Sequence, residues 1–283
     1  MKKYHGILVP VVTPLDSPGT VDLPAVRPFF DYMINGGVHG IFILGSTGEG
    51  PALSIAEQKK FILESVKATG SRVPLLVGIS GASGMESIEL GRFALEAGAD
   101  AVVAAPPCYI PAENEEEIFN YYKILSEEFS GKLFVYNMPA LTKVAISPDL
   151  ALRLLALPGV IGYKDSSGIL EDLLYVLRES RDLGKAIFVG PEHLTLQAML
   201  AGADGGVNGG ANLLPELFSG LVAAVDAGDA EKMNALQREI EDFQPNYGTP
   251  CTCPGVIRAL KRALSGKGLI KNILAFPNLP LEN

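Results

Sequence analysis

Glu96-Ala97-Gly98-Ala99-Asp100-Ala101 and Leu200-Ala201-Gly202-Ala203-Asp204-Gly205 read alike. In each, a helical run stops at a glycine, and an aspartate then opens the next apolar stretch. Glycine just past the last turn is a common helix stop, so both segments are a helix end turning into a strand, two echoes of one βα unit. Outward from them, short apolar runs alternate with longer helical patterns. Strands are expected over 6–12, 40–44, 74–79, 101–105, 133–137, 160–164, 186–190 and 205–208. Nearly all are continuously apolar, as parallel strands buried on both faces require. Helix starts are marked by the capping-box pairs Ser54/Glu57 and Ser83/Glu86, by Asn114 with Glu117, and by Ser147-Pro148; Asn35-Gly36-Gly37 and Thr69-Gly70 mark ends.

Eight strands, each with a helix, predict an α/β chain folded as a closed (β/α)8 TIM barrel. A doubly wound sheet is the alternative, but no Gly-x-Gly-x-x-Gly follows the first strand, and even spacing favours closure. The barrel is expected over residues 1–227. Residues 228–283 read as a C-terminal helical extension, with helices over 230–243 and 253–264, an appendage rather than a second domain.

Composition narrows the function. The 283 residues are 48% hydrophobic and 19% charged, with 31 Gly and 20 Pro, which excludes a disordered chain. Mean hydropathy is high at +0.25, yet the richest run, 150–162, is broken by Arg153 and Pro158, so no membrane span is expected. A net charge of −9 argues against nucleic acid or an anionic membrane as partner. The first apolar run stops at Pro10, unlike a signal peptide. Three cysteines cannot all pair, and Cys251 and Cys253 lack the second pair a zinc site needs. Reduced thiols in the cytoplasm and no metal are the expectation.

Barrel enzymes carry their chemistry at the C-terminal ends of the strands. That rule selects Gly45-Ser46-Thr47-Gly48-Glu49, Pro107-Cys108-Tyr109, Tyr136-Asn137, Lys164-Asp165-Ser166, Gly190-Pro191-Glu192-His193 and Asn208-Gly209-Gly210. Lys164 is the one lysine among 14 that ends an otherwise apolar strand. Desolvation there favours the neutral amine, a nucleophile towards carbonyls; the alternative is a structural lysine paired with Asp165. Tyr136 ends the neighbouring strand and either relays protons or caps the core. The turn at 45–49 exposes amides and two hydroxyls suited to a small carboxylate, or is only a tight loop. His193 reads as a surface residue, and His5 and His39 precede strands at the face devoted to stability.

At these residues the sequence resembles the dihydrodipicolinate synthase/N-acetylneuraminate lyase superfamily of class I, pyruvate-handling aldolases. The match runs in order through Gly45-Ser46-Thr47-Gly48-Glu49, Leu53-Ser54 with Glu57, Pro107-Cys108-Tyr109, Tyr136-Asn137-Met138-Pro139, Gly162-Tyr163-Lys164-Asp165 and Gly205-Gly206-Val207. The resemblance implies a Schiff base between Lys164 and pyruvate or another 2-oxo acid, with no external cofactor. It implies Tyr136 and Thr47 in a proton relay, Ser46, Thr47 and Gly48 holding the carboxylate, and Tyr109 reaching a neighbouring subunit's relay in a homotetramer built as a dimer of dimers. Ser166, Gly190, Glu192 and Asn208 are expected substrate contacts.

The second substrate is an aldehyde whose identity depends on departures from the family pattern. Synthases acting on aspartate semialdehyde carry an arginine two residues after the motif proline; here Leu141 stands there, after Pro139-Ala140. An apolar side chain cannot replace a bidentate clamp. Pro-Ala-Leu-Thr resembles instead lyases of sialic acid and of 2-keto-3-deoxy sugar acids, with Glu192 as one of their two acidic sugar ligands and Lys143 where glycine is common. The expectation is therefore a lyase or aldolase of a 2-keto-3-deoxy sugar acid or sialic-acid-like substrate. The alternatives are a dihydrodipicolinate (4-hydroxy-tetrahydrodipicolinate) synthase, a deoxy-keto-acid dehydratase using the same lysine, and a non-enzymatic sensor.

Overall fold

The computed structural model describes residues 3–245 and 253–281; Cys251 lies outside them. After β1 (Gly6–Pro10) comes a small antiparallel hairpin, β2 (Leu15–Ser17) and β3 (Thr20–Val21). The chain then alternates α1 (Leu23–Asn35), β4 (Gly40–Ile43), α2 (Ile55–Thr69), β5 (Leu75–Gly78), α3 (Gly84–Ala97), β6 (Ala101–Ala104) and α4 (Glu115–Phe129). β7 (Leu133–Asn137), the single-turn α5 (Pro139–Thr142), α6 (Pro148–Leu155), β8 (Val160–Asp165), α7 (Leu170–Glu179), β9 (Ala186–Val189), α8 (Thr195–Leu200), β10 (Gly205–Gly206) and α9 (Pro215–Ala227) follow. β1 and β4 to β10 form a closed parallel barrel, with β10 paired back onto β1. Beyond it lie α10 (Ala230–Phe243) and α11 (Cys253–Gly266).

The predicted strand starts hold to within a residue, but several strands end before the apolar runs do, β1 at Pro10 and β10 at Gly206. The hairpin was not among the expected strands. Ser54, Asn114 and Ser147 cap their helices as anticipated, accepting from the amides of Glu57, Glu117 and Leu150. Ser83 differs, accepting from Met85 instead of Glu86.

The repeated hexapeptide has one structural job in both copies. Gly98 and Gly202 take φ of 111° and 106°, left-handed values that suit glycine. The aspartate two residues on then accepts an amide at the start of the adjacent strand: Asp100 Oδ2 from Leu75 at 2.8 Å, Asp204 Oδ2 from Ile187 at 2.9 Å. The echo therefore ties each new strand to the one before it.

Alternation within each strand divides the core in two. Leu8, Phe42, Leu76, Val103, Phe134 and Phe188 point inward and fill the barrel. Their neighbours Ile7, Val9, Ile41, Val77, Val102 and Val135 point outward against helix residues such as Phe29, Phe61, Leu125, Leu154 and Phe218. Both faces are buried, hence the unbroken apolar runs.

One irregularity decides the mouth. Leu133 pairs with Val160, but Phe134 pairs with Gly162, leaving Ile161 as an extra residue in β8. Without that bulge Lys164 would oppose Asn137; with it, Lys164 opposes Tyr136 and both face inward. Gly162 is required beside the bulge, because a Cβ there would lie 2.1 Å from the Phe134 ring and 2.6 Å from the Ala186 carbonyl oxygen. Gly162→Ala is expected to cost about 1–3 kcal/mol as an overpacking substitution. Denaturant unfolding checks this, and an unchanged midpoint would refute it.

Candidate active site

Lys164 reaches the barrel mouth from below, 7% exposed, resting on Phe42, Phe134 and Phe188. Its Nζ lies 3.9 Å from the centroid of the Tyr136 ring and 5.1 Å from that of Phe42. The alternative of a structural pair with Asp165 does not hold. Asp165 faces outward, and its carboxylate accepts from Asn137 Nδ2 at 2.8 Å, from the Ser167 hydroxyl at 2.8 Å and from the Ser167 amide at 3.3 Å. Burial pushes its pKa up, and those donors oppose the rise. The amine of Lys164 thus has no carboxylate partner among the described residues. The electron-rich face of Tyr136 is its electrostatic neighbour.

Above the amine opens a cavity of about 490 Å3 lined by Ser46, Thr47, Tyr136, Leu141, Lys164, Ser166, Gly190, Glu192 and Gly209. A second lobe of about 490 Å3 shares Ser46, Tyr136, Met138 and Leu141 with it and extends to Ser80, Glu86 and Cys108. Lys164 is the only cationic side chain lining either lobe among the described residues.

The 45–49 turn forms one wall. Its carbonyls are engaged inward: Gly45 accepts from Gly50, Ser46 from Glu49, and Gly48 from the Thr13 hydroxyl at 2.5 Å. The amides and hydroxyls of Ser46 and Thr47 have no partner among the described residues, and both side chains line the cavity. Paired amides of this kind favour a bound carboxylate. Tyr136 also has no hydrogen bond to its hydroxyl among the described residues, leaving it available to a ligand.

Not every expected contact gathers here. Asn208 is fully buried and spends its amide on the Gly190 carbonyl at 3.2 Å and on Thr195 at 3.1 Å, bracing the ends of β9 and β10 instead of lining the cavity. Glu192 lines it while accepting the Gly210 amide at 2.6 Å. Tyr109 is 82% exposed and lines neither lobe. Lys143 is exposed, with its amine on the Ala140 carbonyl of its own turn, so it brings no charge to the site. Cys253, whose thiol burial raises to a pKa of about 11, lines the wall opposite, contributed by α11. That wall was not anticipated, although Ile257, Leu260, Lys261 and Leu264 hold a helical stripe that signals a packed face.

Among the described residues no group of three His, Cys, Asp or Glu side chains could hold a metal, and no helix is long and apolar enough to cross a membrane. A profile of the dihydrodipicolinate synthetase family matches residues 3–283. The 4-hydroxy-tetrahydrodipicolinate synthase of Leptothrix cholodnii is 35% identical over all of this chain and 94% of its own length. That of Neisseria meningitidis is 32% identical, over 98% of this chain and 93% of its own length. Among solved structures, dihydrodipicolinate synthase from Bacteroides thetaiotaomicron superposes with a TM-score of 0.92 at 36% identity, covering 99% of this chain and 94% of that one. YagE, a prophage protein of the same family from E. coli K12 determined with pyruvate, gives 0.92 at 27% identity, with the same coverage. The chain belongs to the dihydrodipicolinate synthetase family and is a carbon–carbon lyase of the class I, pyruvate-dependent aldolase type.

Proposed function

We propose that this chain joins pyruvate to aspartate semialdehyde through a Schiff base on Lys164, the reaction for which its curated relatives are named. The observation that carries the Schiff base is the amine of Lys164 at the floor of the cavity, against the Tyr136 ring and without a carboxylate partner among the described residues. The relatives' shared activity supports the second substrate.

Lys164 attacks C2 of pyruvate while the amides of Ser46 and Thr47 hold the carboxylate. Tyr136 and Thr47 pass a proton to the carbinolamine hydroxyl, which leaves as water and yields the iminium. Loss of a C3 proton then gives the enamine, the iminium nitrogen acting as electron sink. The enamine carbon adds to the aldehyde carbon, the aldehyde oxygen takes a proton, and water releases the product from Lys164. In this reading Tyr109, exposed beside exposed Ile110, completes the relay of a second copy in a homotetramer. The enzyme works in the cytoplasm with reduced thiols.

A second reading, cleavage of a 2-keto-3-deoxy sugar acid, is favoured by Leu141, which lines both lobes where a cation would clamp the semialdehyde's carboxylate. Glu192 would then hold a sugar hydroxyl. Physical chemistry makes aspartate semialdehyde a poorly held substrate here, and the relatives outweigh that difficulty.

Borohydride reduction in the presence of pyruvate is expected to add the pyruvyl mass to the Lys164 peptide, and Lys164→Ala is expected to abolish both adduct and turnover. An unmodified peptide in folded protein would sink the mechanism. Tyr136→Phe is expected to lower kcat by roughly 10²–10⁴, the usual worth of a positioned acid–base group. For the second substrate, wild type is expected to turn over pyruvate with aspartate semialdehyde. Leu141→Arg is expected to lower the KM for the semialdehyde by about 10–100-fold, the worth of a charged hydrogen bond. Pyruvate release from sugar acids, with no semialdehyde turnover, would decide for the second reading.

A further inference from the structure

Glu49 closes the carboxylate-binding turn but points away from the cavity. It has φ of 54°, and Leu44 at the other end of the turn has φ of 56°, left-handed values uncommon for side chains of this size. Between them the backbone has no room to relax. A Cβ on Gly48 would lie 2.8 Å from the Val11 carbonyl oxygen, and one on Gly50 2.1 Å from that of Leu44. Something must hold this shape against its local preference.

The holding contacts come from the far end of the chain. Glu49 Oε1 lies 2.5 Å from Lys261 Nζ, with side-chain exposures of 2% and 0%. Its Oε2 accepts the Ala275 amide at 2.8 Å, and Lys261 also donates to the Ile273 carbonyl at 2.8 Å. Lys261 occupies an apolar-stripe position of α11, between Leu260 and Leu264, and burial pushes its pKa down while Glu49 opposes the fall. The first turns of the same helix supply Cys253, Pro254 and Val256 to the cavity wall. One helix thus touches the site twice, directly by its start and through Glu49 by its second half.

A buried ion pair is a poor way to gain stability, since apolar replacements of similar shape are often as good or better. Its value lies in geometry: a carboxylate with two fixed partners permits one position of the backbone that carries it. We propose that the Glu49–Lys261 pair is the positioning device of the site, locking the 45–49 turn so that its amides face the carboxylate of the 2-oxo acid. Glu49 and Lys261 are positioning residues and touch no substrate. The inference rests on pyruvate binding at Lys164 as proposed above.

Two readouts test it. In Glu49→Gln, and in Glu49→Gln/Lys261→Met, which leaves no buried charge unpaired, the pyruvate concentration for half-maximal borohydride trapping on Lys164 is expected to rise by about 10-fold or more, the worth of one charged hydrogen bond. Trapping at saturating pyruvate is expected to remain complete. Amide hydrogen exchange over residues 44–50, measured without ligand, is expected to quicken in both variants while the β7 and β8 amides stay protected. Unchanged half-saturation with unchanged exchange in folded variants would overturn the proposal, as would a lowered melting temperature with neither effect. Failure of wild type to trap pyruvate would instead defeat the Schiff-base reading, and the exchange readout would still decide the role of the pair.

Discussion

A single extra residue in β8 is the constraint on which the mouth of the barrel depends. Parallel strands pair at fixed intervals and side chains alternate faces, so register alone decides which residues meet. The bulge at Ile161 advances the pairing by one and brings Lys164 opposite Tyr136. It also sends Asn137 and Asp165 together to the outer face, where they bond each other. The amine and the only carboxylate next to it in sequence are therefore parted, and the cost of burying that carboxylate is met by Asn137 and Ser167.

That separation sets the electrostatic character of the site. An ion pair at the floor would occupy the amine proposed as the nucleophile. An aromatic face favours a cation more weakly and without a competing acceptor. Such a surrounding leaves the amine accessible for the proposed Schiff-base chemistry. The opposing wall supplies amides, a donor type suited to a carboxylate, without adding a second titrating group.

The C-terminal residues are more than an appendage. α11 walls the cavity with Cys253, Pro254 and Val256, and Lys261 reaches beneath the turn after β4 to meet Glu49. Ile273 and Ala275 complete the anchor with a carbonyl and an amide. A strained turn persists only where its surroundings over-determine it, and here those surroundings are about 210–225 residues distant along the chain.

Local pattern made much of this legible. Continuous apolar runs, caps at Ser54, Asn114 and Ser147, and the twice-written Gly-x-Asp turn announce parallel βα units. The end-of-strand rule drew attention to Lys164, Tyr136 and the 45–49 turn, which the fold brings to one cavity. The same rule also selected Asn208, because a position at a strand end does not reveal that its amide is consumed by Gly190 and Thr195. The sequence by itself determined the elements, their order and the chemical types gathered at the mouth, since these follow from short-range periodicity and capping. Only the tertiary structure decided that Lys164 faces Tyr136 with no carboxylate partner among the described residues, and that Lys261 holds Glu49. Register and long-range pairing are set by closure of the whole barrel, and no local window of residues contains them.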